Sequence, residues 1–303
     1  MRRPPVTSLF SVPAILLLAT VTVGAEAVKL KQIRSIYADE KEIGLRSPEG
    51  VGCDDKGRLV VADSGNGRLV RFTFVDGNLT PGKEIKVPEL SVPIRVRINS
   101  KGEVFALDGR QKRVVRLSPE GEFRGHVDAA GSPPPATIVP RSLDIGMDDA
   151  IYLLDAFAGR VLVLTPEGKF ARQLDFPGDY EFISDLAVDG RGNIFLIDSI
   201  NAAVYRAPKE SGKFSPLTES MKETMSFPSS IVTDGRGNIY VADKNAGVMF
   251  VLGQDGSFKG EQLKMGWKEG LLRYPSQLCI NDSGEIFVAD RENNRIQVFS
   301  TVR

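Results

Sequence analysis

The chain has 303 residues, with 39 basic and 39 acidic side chains, two cysteines and one histidine. A formal balance of zero supplies no broad field for drawing in nucleic acid or an anionic membrane. One histidine cannot build a multi-histidine zinc site, and the cysteines form neither C-x-x-C nor C-x-x-C-H, so haem c and zinc-ribbon chemistry fall away and no metal or cofactor is expected.

Met1-Arg-Arg-Pro-Pro5 is a short basic start, Val12 to Val23 is mostly apolar, and Ala25-Glu26-Ala27 has the small-x-small pattern of a cleavage site. Residues 1–27 therefore read as a secretory signal peptide cut after Ala27. The apolar run, about a dozen residues, is short for a retained spanning anchor, which is the alternative. Removal takes away Arg2, Arg3 and Glu26, leaving a domain of residues 28–303 with 37 basic and 38 acidic side chains. The expectation is an exported protein, periplasmic or secreted, with no membrane insertion once the leader is gone.

An internal repeat governs the rest. Gly57-Arg-Leu-Val-Val-Ala-Asp63 returns as Gly102-Glu-Val-Phe-Ala-Leu-Asp108, Ala150-Ile-Tyr-Leu-Leu-Asp155 and Gly192-Asn-Ile-Phe-Leu-Ile-Asp198. The last copies are Gly237-Asn-Ile-Tyr-Val-Ala-Asp243 and Gly284-Glu-Ile-Phe-Val-Ala-Asp290, with successive aspartates 45, 47, 43, 45 and 47 residues apart. Each copy parses into four short strands. The first follows a proline or its equivalent, as at Pro48 and Pro275. A turn rich in Asp, Asn and Gly leads to the second, which is apolar at consecutive positions and so buried on both faces. The third starts just past the aspartate, as in Arg68-Leu-Val-Arg-Phe72. Pro119-Glu-Gly121 and Pro166-Glu-Gly168 mark turns into a fourth. Small sheets buried on both faces and repeated at this period specify an all-β, six-bladed β-propeller of four-stranded antiparallel blades.

Only four residues follow Phe299, too few for a fourth strand in the last blade. The segment Leu30–Ala38 precedes blade one and has no other obvious role. Pairing it with the Arg295–Ser300 strand would close the ring and remove an open sheet edge.

At these residues the chain resembles the NHL-repeat family of six-bladed propellers. The pattern Pro-x-x-[Val/Leu/Ile], then Gly-x-Ile-[Tyr/Phe]-Val-Ala-Asp, then Arg-[Ile/Val]-x-Val-Phe is best kept in blades one, five and six. Blades four and five depart from it at Ala203 and Val248, where the others carry arginine. The resemblance implies fold more than activity, because the family includes binding modules, scaffolds and a few enzymes.

The six repeated aspartates invite a metal ring, but a residue present in every blade solves a problem shared by every blade. Here that is the turn into strand three, with backbone N–H groups and the following arginine as partners. Function is expected where the repeats differ, at the channel mouth on the face that carries the strand two–three loops. The binding candidates there are Arg95, Arg110, Lys112, Arg141, Tyr180, Trp267 and Tyr274. Arg95, Arg97, Arg110, Lys112, Arg113 and Arg141 concentrate positive charge near blade two. They either receive an acidic group of a partner or pair internally, Arg97 with Asp144 being the clearest internal candidate.

Cys53 and Cys279 fall in the first strands of blades one and six, which become neighbours when the ring closes. Sheets packing about 10 Å apart exceed disulfide reach, so two buried thiols are the expected state, with a bond as the alternative that export allows. His126 falls on a peripheral fourth strand and is expected to be ordinary surface.

The leading functional reading is a non-enzymatic binding or scaffold module that takes a protein or cell-envelope component on its top face. The sequence holds no nucleophile elbow, no histidine pair and no metal-ligand spacing. The alternative is a lactonase-like hydrolase or lyase using inner-channel carboxylates, for which Glu49 and Asp185 are the weak catalytic candidates and Arg141 the electrostatic partner.

Overall fold

The computed structural model describes residues 28–302, so the leader assigned to residues 1–27 lies outside the described residues. Six four-stranded antiparallel sheets surround a central axis. Blade one comprises Gly50–Cys53, Arg58–Asp63, Arg68–Val75 and Asn78–Ile85. Blade two comprises Pro93–Ile98, Val104–Asp108, Arg113–Leu117 and Phe123–His126, and blade three Pro140–Ile145, Ile151–Asp155, Arg160–Leu164 and Phe170–Asp175. Blade four comprises Ile183–Val188, Ile194–Asp198, Ala203–Ala207 and the two-residue Ser215–Pro216. Blade five comprises Pro228–Thr233, Asn238–Asp243, Val248–Gly253 and Phe258–Gln262.

Blade six takes Pro275–Ile280, Glu285–Asp290 and Arg295–Val302 from the end of the chain and Lys29–Ile36 from its beginning. The N-terminal strand runs antiparallel to Arg295–Val302, with Ile36 opposite Ile296 and Leu30 opposite Thr301. The ring closes as the missing fourth strand requires, and the outer edge of Arg295–Val302 is covered.

The apolar strands bury their two faces between neighbouring blades, giving six separate wedges of core. Val51, Phe72, Phe287 and Val298 fill the wedge between blades six and one. Leu154, Val161, Leu186 and Leu196 fill the one between blades three and four. Each such side chain contributes about 1.5–3 kcal/mol of burial, so the repeated V/I/L runs both define the strands and join the blades.

The aspartate ending each second strand is fully buried and organises two loops at once. Asp108 accepts the N–H groups of Arg110 and Gln111 in the turn it starts, and those of Ser91 and Val92 in the loop entering its own blade. Asp198 and Asp243 do the same with Glu181, Phe182, Ile200 and Asn201, and with Ser226, Phe227, Asn245 and Ala246. In blades one, three and six the arginine five residues on adds an ion pair: Arg68 to Asp63 at 2.8 Å, Arg160 to Asp155 at 3.0 Å and Arg295 to Asp290 at 2.7 Å. Arg113 differs, turning outward to Asp128.

Cys53 and Cys279 form a disulfide, with Cα atoms 5.9 Å apart. This corrects the expectation of two thiols. The 10 Å spacing holds between the broad faces of stacked sheets, whereas propeller blades converge like wedges, so their first strands approach far more closely. Glycines in the first strand of blade one accommodate this convergence on both sides: a Cβ on Gly52 would stand 3.0 Å from the Val96 carbonyl oxygen of blade two, and one on Gly50 2.9 Å from the Gln277 side chain of blade six.

Candidate functional site

Each first strand descends from the face bearing the strand two–three loops, here the top. In blades two to five its second residue is displaced by a bulge, between Pro93 and Arg95, Pro140 and Ser142, Ile183 and Asp185, and Pro228 and Ser230. Such bulges re-aim side chains where a strand begins. They set Ile94, Arg141, Ser184 and Ser229 at the upper mouth.

Below the mouth the axis is filled by two polar layers. In the upper one, Ser142, Asp185, Ser230 and Gln277 are fully buried. Ser142 donates its hydroxyl to Asp185, whose other oxygen accepts the Ile231 N–H, so this carboxylate ties blades three, four and five together. Gln277 accepts from the backbones of Val51 and Val96, tying blade six to blades one and two. In the lower layer Arg97 pairs with Asp144 at 2.7 Å, and Asp144 also accepts the Val188 N–H. Burial pushes the Asp144 carboxyl up in pKa, against the pull of Arg97.

The upper mouth gathers cations over aromatic rings. Arg141 lies over the Phe182 ring at 4.2 Å and donates to the Ile183 carbonyl. Lys244 stands 5.8 Å from the centre of the Tyr274 ring. Arg95 reaches across the axis toward the Ser229 carbonyl at 3.4 Å, and its Nε is buried without a partner. Burial lowers the pKa of Arg141, opposed by the charge of Tyr180, and lowers that of Lys244, where Glu49 opposes the shift and Arg291 and Arg95 add to it. Glu49 itself pairs with Arg291 at 3.1 Å. The serine hydroxyls at the mouth face inward: Ser184 and Ser229 reach for the Pro228 and Pro275 carbonyls of the next blade.

The lower mouth has a different character. A cavity of about 170 Å³ is lined by the disulfide, the Arg97–Asp144 pair, Ala187, Val188, Val232 and Thr233. It adjoins a wider bowl rimmed by Asp54, Asp55, Asp149, Asp234 and Asp282. Asp282 donates its N–H to Asp55, and burial together with the Asp55 charge raises its pKa. Among the described residues, no group of three or more His, Cys, Asp or Glu side chains is placed to hold a metal.

The sequence-predicted residues fall into separate places. Arg95 and Arg141 both lie at the mouth, one reaching the Ser229 carbonyl and the other the Ile183 carbonyl. Arg110 and Lys112 are exposed on the blade-two loop. Tyr180 and Tyr274 are 39% exposed on the loops entering blades four and six, and Trp267 is 75% exposed farther out on the loop before blade six. Tyr180 packs edge-on against Phe176 at 5.2 Å. The basic sector near blade two divides: Arg97 and Arg113 are paired internally, while Arg95 and Arg141 meet no carboxylate among the described residues. The two catalytic candidates are apart in role, Glu49 in a mouth ion pair and Asp185 locked in the upper layer. His126 sits on the outer strand against Phe123, away from the axis.

Sequence reasoning passed over Phe182, Phe227 and Lys244, together with the 62%-exposed Phe157 and 45%-exposed Ile200. The signal was positional. Phe182 and Phe227 occupy the same place in their repeats as Tyr274, just before the first strand, and Lys244, Phe157 and Ile200 lie one or two residues past the repeated aspartate.

Residues 45–72 and 272–299 match the family model for the NHL repeat. The chain carries NHL repeats. The matched segments belong to blades one and six, the two that the disulfide joins. No curated protein matches the chain by sequence. Among solved structures, this NHL propeller is similar to virginiamycin B lyase from Staphylococcus aureus, with 14% identity, a TM-score of 0.63, and coverage of 90% of this chain and 100% of that one. It is also similar to a gluconolactonase from Xanthomonas campestris, with 13% identity, a TM-score of 0.65, and coverage of 91% and 90%. A PQQ-bound aldose sugar dehydrogenase from Streptomyces coelicolor has 17% identity, a TM-score of 0.62, and coverage of 91% and 98%. At these identities the likeness is one of fold, shared by proteins of unlike chemistry.

Proposed function

We propose that this protein is an exported binding module that engages a protein or cell-envelope component through its top face and performs no chemistry of its own. The observation that carries the reading is the state of Asp185. A catalytic carboxylate needs a free oxygen facing substrate, and both oxygens of Asp185 are engaged in holding three blades together, with no exposure to solvent. Glu49, the other candidate, is neutralised by Arg291. The top face, by contrast, presents exposed Phe157, Tyr180, Ile200, Trp267 and Tyr274 on a rigid ring, the kind of aromatic-rich, loop-borne surface that serves recognition.

Site-specific photocrosslinking in the native compartment tests this. A photoreactive residue at Trp267 or Arg110 is expected to capture one defined partner, while the same group at Met147, 82% exposed beside the lower mouth, captures none. Capture from Met147 alone would overturn the reading. So would a lactone hydrolase or lyase activity of the purified protein that Glu49→Gln abolishes without unfolding it.

A further inference from the structure

The upper mouth holds three half-buried cations from three blades, and none has a carboxylate partner among the described residues. The carboxylates that line the axis are engaged elsewhere: Glu49 by Arg291, Asp144 by Arg97 and Asp185 by Ser142 and the Ile231 backbone. Desolvated charges are costly, and burial lowers the pKa of Lys244, with Glu49 and Glu292 opposing the shift and Arg291 and Arg95 adding to it. An arrangement of this kind is relieved by an anion.

The aromatic positions give the anion a neighbourhood. Phe182, Phe227 and Tyr274 occupy equivalent places in blades four, five and six and form an arc along one side of the mouth. Phe182 and Phe227 are 6.1 Å apart. Arg141 lies over one end of the arc and Lys244 over the other. A guanidinium stacked on a ring face is held by cation–π attraction and keeps its edge N–H groups for a planar acceptor. Only one of the Arg141 edges is used internally, on the Ile183 carbonyl. Two-pronged N–H donors match a carboxylate, and the rings beside them match an apolar group attached to it.

We propose that the upper mouth is a carboxylate site in which Arg95, Arg141 and Lys244, above the arc of Phe182, Phe227 and Tyr274, hold the carboxylate of a peptide bearing an adjacent apolar side chain. The assignment rests on the reading of the top face as the binding surface and names what that surface recognises. A peptide is favoured over a free organic acid because exposed apolar groups extend beyond the arc, to Tyr180 and Ile200 on the neighbouring top-face loops.

The test is calorimetric titration of the mature chain at low salt with N-acetyl-Gly-Gly-Phe, its C-terminal amide, phenylacetate and inorganic phosphate. The free-acid peptide is expected to bind at least about tenfold more tightly than the amide, with Arg141→Gln and Lys244→Gln each losing about tenfold, and with phenylacetate weaker than the peptide. Lys244 makes no hydrogen bond that its replacement would break, so that variant keeps the fold, and an unchanged melting temperature verifies it. Equal binding of acid and amide would overturn the carboxylate site while leaving the top face a binding surface. Phenylacetate as tight as the peptide would make the ligand a free acid, and phosphate displacing the peptide at lower concentration would make it a phosphate; either overturns the proposal. Absence of all binding overturns it too. Capture from Trp267 in the crosslinking experiment then shows whether the top-face reading survives.

Discussion

At the scale of single residues, the structure separates carboxylates that look alike in the sequence. Asp185 and Glu49 are both acids near the start of a first strand, yet one is a buried tie between blades and the other a mouth ion pair. Asp185→Ala leaves a buried Ser142 hydroxyl and the Ile231 N–H without their acceptor, and is expected to cost about 2–4 kcal/mol. Glu49→Ala, at a half-exposed pair, is expected to cost less than about 1 kcal/mol. Denaturant midpoints of the two variants check this. Asp108 carries a pH dependence. Burial alone would raise its pKa, but hydrogen bonds from Gln111, Ser91 and Val92 N–H groups and the Ser91 hydroxyl together hold the carboxyl below its ordinary range. A depressed folded pKa means the stabilisation is present above the unfolded carboxylate's pKa and is lost as pH falls through the folded value. Amide protection factors at residues 91, 92, 110 and 111, corrected for the intrinsic pH dependence of exchange, are expected to fall on acidification in that window, and Asp108→Asn to flatten the response. The structural role of the aspartates was legible because recurrence in every blade points to a shared need. The role of Asp185 was not, because its partners Ser142 and Ile231 are 43 and 46 residues away.

At the scale of elements, two devices close the ring at different radii. The N-terminal strand completes blade six toward the periphery, and the Cys53–Cys279 bond joins the first strands of blades one and six at the axis across a separation of 226 residues. The strand was legible because the last repeat lacked one and the chain had a spare. The bond was not, because it depends on how far wedge-shaped blades converge. Linking positions so distant restricts the unfolded chain strongly, so reduction, or Cys53→Ser with Cys279→Ser, is expected to lower stability by about 2–5 kcal/mol. Thermal melting with and without reductant measures it, and a midpoint unmoved by reduction would show that the N-terminal strand alone suffices. Deleting residues 28–37 exposes the Arg295–Val302 edge and is expected to favour aggregation over a simple shift in melting, which light scattering during the melt detects.

At the scale of the whole molecule, a neutral total conceals two unlike poles. The upper mouth carries Arg95, Arg141 and Lys244, and the lower bowl is rimmed by Asp54, Asp55, Asp149, Asp234 and Asp282. Between them, the layers led by Asp185 and by the Arg97–Asp144 pair fill the axis. An anionic probe is therefore expected to bind at the upper pole alone, and more weakly as salt rises and the exposed part of the field is screened. The proposed export belongs to this scale as well. Intact-mass measurement of the protein recovered outside the cytoplasm is expected to show a chain beginning at Val28, and recovery of Met1 there would contradict the leader assigned to residues 1–27.

The sequence by itself determined the repeat, the number of blades, the strands within each and the closure by the N-terminal segment. All of these follow from local patterns of apolar runs, turn residues and the recurring aspartate, which act over a few residues and need no knowledge of neighbours. Only the tertiary structure decided which polar groups remain available. Convergence at the axis brings side chains from separate repeats within hydrogen-bonding distance, engages Asp185, Asp144 and both cysteines, and leaves Arg95, Arg141 and Lys244 at the upper mouth outside any ion pair among the described residues.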